Sequence, residues 1–150
     1  MKKIAVILLD VNTMSQAAHH VQTALEEAKT KYKIFSAADV TKLVTGNYDA
    51  LVVVDDLPDA AAILEAFHSS SKPIGAFDQA IAMTAEILGN HGVTLAIDST
   101  GSATAITKTG AYIEKCKLDD FVSDRENKIV STLSDPAGIR RALEELLEMA

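Results

Sequence analysis

Short apolar runs alternate along this chain with stretches whose apolar residues recur every three or four positions. From Ile4 to Leu9 no position is polar, the mark of a strand covered on both faces. Ala17, Val21, Leu25 and Ala28 then fall on one helical face, predicting a helix over 15–29. A second strand, of edge character, is expected at 31–36, and a short helix at 39–44, ended by Gly46-Asn47. The run 50–54 reads as another buried strand, and 58–68 as a helix with Pro58 in its first turn. The next pair is a strand at 74–77 and a helix at 79–88, closed by Gly89-Asn90. A strand at 93–97 and a short helix at 102–109, stopped by Gly110, follow.

Beyond Gly110 the rhythm changes. Residues 121–123 and 128–131 flank Asp124-Arg125-Glu126-Asn127 and predict a β-hairpin. Asp135-Pro136 is a cap followed by a first-turn proline, and Ile139, Leu143, Leu146 and Leu147 mark the apolar side of a terminal helix. No linker, low-complexity tract or repeat interrupts the 150 residues, so a single domain over 1–150 is expected. Alternating strands and helices imply a mostly parallel sheet with helices on both faces, and the flavodoxin-like doubly wound order is the natural expectation.

Composition narrows the partners. The formal charge is −7, which repels phosphate backbones, and no Lys/Arg cluster stands out. Nucleic acid is not an expected partner. No run approaches the length of a membrane span, and the short apolar run near the N-terminus ends at Asp10 without a signal-peptide pattern. The single Cys116 excludes an internal disulfide and fits a reducing cytoplasm.

Two segments carry a resemblance. SKPIGAFDQAIAM, residues 71–83, and TKTGAYIEKCKLDDFVSDRENKIVST, residues 107–132, together resemble the ThiJ/PfpI superfamily (class-I glutamine-amidotransferase-like fold), and within it the ElbB-like branch. The likeness is good over 71–133 and loose over 1–70. It implies a flavodoxin-like sheet and often a homodimer. It also implies three catalytic features, and each departs here. The family's nucleophilic Cys falls on Asp78, and the Glu that bonds it falls on or near Gln16. The glycine pair that helps to hold an oxyanion falls on Asp55-Asp56. A carboxylate is a poor substitute for a thiolate nucleophile, and acids at 55–56 put negative charge where that mechanism needs positive potential. The pairing of Gln with Asp is self-consistent, since an amide can donate to a carboxylate where a second carboxylate would repel it.

The residues themselves offer a further idea. Asp10, Asp55, Asp56, Asp78 and Asp98 all stand at predicted strand ends, and ligands of open α/β sheets bind outside the carboxyl ends of the strands. Such carboxylates could bind a ligand there. No cofactor is expected, and Mg²⁺ is the ion such a rim could take. Helix capping is the alternative role for each of these acids. Asp10-Val11-Asn12-Thr13 has a faint likeness to the aspartyl loop of haloacid-dehalogenase-like phosphatases, with Asn12 at the second acid position. Thr100, Gly101 and Ser102 could present N–H and hydroxyl groups to an anion, with Asp98 opposing it and capping by Ser102 the simpler role. His19 and His20 cannot share a helix face, and no histidine spacing suggests zinc. Lys115 and Lys117 could lower the pKa of Cys116, but a buried structural thiol is the simpler role.

The sequence supports three functional readings. The first is a ThiJ/PfpI-like protein without the cysteine nucleophile, acting as a binding or interaction module. The second is a hydrolase or lyase using strand-end carboxylates, with Mg²⁺ as a helper. The third is a reconstructed or designed chain that keeps the fold and has no function.

Overall fold

The computed structural model describes residues 2–97 and 103–150. In chain order the strands are β1 (Lys3–Ile7), β2 (Lys31–Phe35), β3 (Ala50–Val53), β4 (Ile74–Phe77), β5 (Thr94–Ile97), β6 (Tyr112–Lys115), β7 (Val122–Asp124) and β8 (Ile129–Thr132). The α-helices are α1 (Gln16–Glu27), α2 (Ala61–Ser69), α3 (Ala80–Leu88), α4 (Ala103–Thr107) and α5 (Pro136–Met149).

Six strands form the main sheet in the order β2-β1-β3-β4-β8-β7. All neighbours are parallel except the β7–β8 hairpin, in which Ser123 faces Val130. The continuous apolar runs have the expected cause. In β1, Ile4 and Val6 belong to one buried cluster while Ala5 and Ile7 belong to the other. In β3, Ala50 and Val52 divide in the same way from Leu51 and Val53. Both faces are therefore covered. Val21 and Leu25 of α1 and Ile139, Leu143 and Leu146 of α5 cover one face. Leu64 and Phe67 of α2 and Met83 and Leu88 of α3 cover the other.

Local chemistry sets the helix ends. The Ser15 hydroxyl accepts from Ala18 N–H and starts α1. Asp135 accepts from the N–H groups of Ala137 and Gly138, with Pro136 in the first turn, and starts α5. After α1 and α2 the chain leaves through left-handed residues, Lys29 (φ 54°) and Ser71 (φ 56°). The bonds Thr30 N–H to Leu25 O and Lys72 N–H to Phe67 O close the two exits.

The structure differs from these expectations in four places. The strand at 93–97 forms, as β5, outside the main sheet. It pairs in parallel with β6, and β8 takes the place beside β4. β5 instead crosses the hairpin, where Thr94 N–H donates to the Asp124 carboxylate (2.8 Å) and Ala96 N–H to the Ser131 hydroxyl (2.8 Å). β6 itself was not expected, because Tyr112 and Glu114 are exposed and the strand lacks an apolar face. The helix at 39–44 contracts to a single 3₁₀ turn, Val40–Lys42, and the first turn at Pro58 is 3₁₀ before α2 begins.

Candidate functional site

β3 and β4 lie side by side, and both end on the same edge of the sheet. The acids that follow them are thereby brought together. β4 ends at the buried Phe77. The next residue, Asp78, turns the chain at φ 54° and leads directly into α3. Left-handed backbone is costly for most side chains and cheapest for Gly, Asn and Asp, so Asp suits the position whatever its chemistry. Its N–H donates to the Thr132 carbonyl at the end of β8 (3.0 Å), and its own carbonyl accepts from Ile81 N–H (3.3 Å). The turn is thus held from both sides.

Asp78 is half-buried. Burial pushes its carboxyl above the ordinary carboxylate range, the negative charge of Asp55 pushes it the same way, and a bond from Gln79 N–H opposes both. Asp55 is fixed differently, since its Oδ2 accepts from Leu9 N–H at 2.7 Å and so ties the end of β3 to the end of β1. One carboxylate is thus fixed in place by a backbone donor, while its neighbour resists ionisation. Such a pair can donate and accept a proton at one place.

The other expected site residues are placed as follows. Gln79 is the N-cap of α3, so Asp78 stands one residue outside the cap, and Gln79 caps without a side-chain bond. Gln16 is the first residue of α1 and exposed; among the described residues no hydrogen bond joins it to Asp78. Asp10 is exposed and caps the 3₁₀ turn Val11–Thr13, accepting from Asn12 N–H at 2.9 Å. Asp56 is exposed. Asp98, Thr100, Gly101 and Ser102 lie outside the described residues. No three His, Cys, Asp or Glu side chains among the described residues converge as a metal site.

Cys116 is half-buried and does not show the activation that its flanking lysines could have given. Burial raises its thiol pKa, and Asp120, Glu114 and Asp119 raise it further against a bond from Thr132. The flanking lysines do not reverse that direction. Thr132 was missed in the sequence. Fully buried at the end of β8, it accepts from Asp78 through its carbonyl and donates through its hydroxyl to Asp120 O (2.6 Å). Only the pairing of β8 with β4 puts it there. A groove of about 200 Å³ lies elsewhere, between α1 and α5, lined by Leu25, Ala28, Leu143 and Leu147 with Glu27 and Arg140 at its rim. It uses the later turns of both helices, at the end of the sheet opposite Asp78.

No protein-family model matches the chain, and no curated protein matches it. Solved structures do. An isoprenoid biosynthesis protein with amidotransferase-like domain from Ehrlichia chaffeensis superposes with a TM-score of 0.81 at 18% identity, covering 99% of this chain and 100% of that one. The putative protease I from Bacteroides thetaiotaomicron gives 0.73 at 16% identity, over 99% and 98% of the two chains. Drosophila melanogaster DJ-1beta gives 0.66 at 16%, over 99% and 90%. The chain therefore has the α/β fold of DJ-1/ThiJ/PfpI-like and amidotransferase-like proteins. No helix among the described residues is long and apolar enough to cross a membrane.

Proposed function

We propose that this chain is a ThiJ/PfpI-superfamily protein of the ElbB-like branch that keeps the strand-to-helix elbow of the fold without its thiol chemistry, and that it acts as a binding or interaction module. The observation that carries the reading is Asp78 itself, a half-buried carboxyl at φ 54° on the elbow, beside Asp55. A thiolate attacks carbonyl carbon because it is soft and strongly nucleophilic. A carboxyl is a poor replacement for it, and a second acid at its side opposes the positive potential that an oxyanion needs. The corresponding partner is a second copy of the chain or a small molecule, in a cytoplasmic setting, without nucleic acid or membrane. The test is methylglyoxal turnover. The wild type is expected to match a no-protein blank; turnover well above blank that disappears in Asp78→Ala would overturn the reading.

A second reading has its own support in the same pair. A carboxyl whose pKa is raised beside a second acid suits proton transfer, so a hydrolase or lyase working through Asp78 and Asp55, with or without Mg²⁺, is the alternative. It predicts a substrate whose turnover is lost in Asp78→Asn and in Asp55→Asn alike. The module reading predicts ligand or partner binding that tolerates Asp78→Asn.

A further inference from the structure

At the opposite end of the sheet from Asp78, three segments distant in sequence meet. His68 lies in the last turn of α2, His91 in the 3₁₀ turn Gly89–His91 after α3, and Asn127 in the turn of the β7–β8 hairpin. The two imidazole rings stand 4.6 Å apart between centroids, tilted by 43°. His68 Nε2 is 3.3 Å from Asn127 Oδ1. Asn127 is itself oriented, because its Nδ2 donates to Asp124 Oδ2 (3.0 Å) and its backbone N–H to Asp124 Oδ1 (3.2 Å). Asp124 is anchored in turn by Thr94 N–H (2.8 Å).

This chain of bonds assigns the protons. With the amide nitrogen turned to Asp124, the amide oxygen must face His68, and an oxygen there accepts a hydrogen. The neutral His68 ring therefore carries its proton on Nε2 and its lone pair on Nδ1. A metal-ligating histidine has this arrangement, one ring nitrogen donating to an oriented oxygen and the other left free for the ion. The spacing agrees. Two imidazoles sharing one ion at about 2.1 Å from nitrogen bring their centroids to roughly 4.5–5.5 Å. His91 is exposed and His68 half-buried, so an ion can reach them from solvent.

We propose that His68 and His91 form a two-imidazole site for a divalent transition-metal cation, with His68 Nδ1 and a His91 ring nitrogen as protein ligands and water completing the shell. Asn127 is a positioning residue, which passes the negative charge of Asp124 to the His68 ring. Imidazole selects Zn²⁺, Ni²⁺ and Cu²⁺ over Mg²⁺ and Ca²⁺, so the site is distinct in chemistry and place from the carboxylates around Asp78. A bound ion would clasp α2, the turn after α3 and the hairpin together.

Isothermal titration calorimetry of the full chain with ZnCl₂, NiCl₂ and MgCl₂ tests the proposal. One Zn²⁺ or Ni²⁺ per chain is expected in the micromolar range, with no heat from Mg²⁺. His91→Ala, a change at an exposed residue, should abolish binding, and so should His68→Ala. Asn127→Ala should weaken binding about tenfold, the usual scale for a residue behind a metal ligand. The variant with both His19→Ala and His20→Ala should bind as the wild type does. Imidazole nitrogen NMR should find His68 as the Nε2–H tautomer in the metal-free chain, with Nδ1 the nitrogen that moves on adding Zn²⁺. Absence of binding, binding that survives His91→Ala, or binding lost with His19 and His20 would each overturn it.

Discussion

Asp78 is where local geometry and chemistry meet most tightly. Its backbone has to be left-handed for β4 to turn into α3, and its side chain sits where a charge is disfavoured by burial and by Asp55. The sign of the pH effect follows. A carboxyl whose folded-state pKa is raised binds its proton more readily in the folded chain than in the unfolded one. It therefore costs stability above its folded-state pKa, and the cost fades as pH falls towards the ordinary carboxylate range. Asn tolerates the left-handed backbone and carries no charge. Asp78→Asn should accordingly be more stable than the wild type at neutral pH, with the advantage shrinking in acid. Urea melts at several pH values check this, and a constant or reversed difference would contradict it. Asp78→Ala removes the same charge but places a residue that disfavours positive φ, so it should be less stable than Asp78→Asn.

Elements are bounded by short-range chemistry that can be tested one end at a time. Lys29 and Ser71 occupy the left-handed exits of α1 and α2, which Gly ordinarily fills. Ser71→Gly and Lys29→Gly relieve that backbone while adding unfolded-state entropy, so each should stabilise by roughly 0.5–1 kcal/mol in chemical denaturation. Gly138, in the first turns of α5, behaves in the opposite way. A Cβ there would stand 2.7 Å from Leu118 O and 2.9 Å from Asp120 O. Gly138→Ala improves helix propensity by about 1 kcal/mol, yet it forces α5 away from the loop that leads into β7. A net loss of roughly 1–3 kcal/mol is expected, the usual scale of overpacking. Glu145 anchors the other end of the same contact, accepting from Ser123 Oγ (2.6 Å) and from Arg125 Nε (3.0 Å). Those bonds, that from Ser123 first, hold its carboxyl below the usual range. Its contribution is present above the ordinary carboxylate pKa and lost as pH falls through the lowered value. Glu145→Gln should cost about 1–2 kcal/mol at neutral pH, consistent with bonds to a charged acceptor at a partly exposed site.

At the scale of the molecule, the buried strands were legible because each apolar run is covered on both faces, as the division of β1 and β3 between two clusters makes plain. The meeting of Asp55 and Asp78 was half legible, since both follow strands that a flavodoxin-like order makes neighbours. The place of β5 was not, because Leu95, Ala96 and Ile97 are as apolar as Ile129 and Val130, and only tertiary packing decides which strand lies beside β4. β6 was hidden by its exposed face, and Thr132 and the His68–His91 contact by the distance in sequence between their partners. The proposal that the elbow carries a carboxyl pair in place of a nucleophile rests on the coupling of Asp78 to Asp55. The most direct measurement is a carbon-13 NMR titration of the Asp78 carboxyl in the wild type and in Asp55→Asn. The account predicts a midpoint above the ordinary carboxylate range that falls when Asp55 loses its charge. A midpoint at or below that range, or one indifferent to Asp55→Asn, would contradict it.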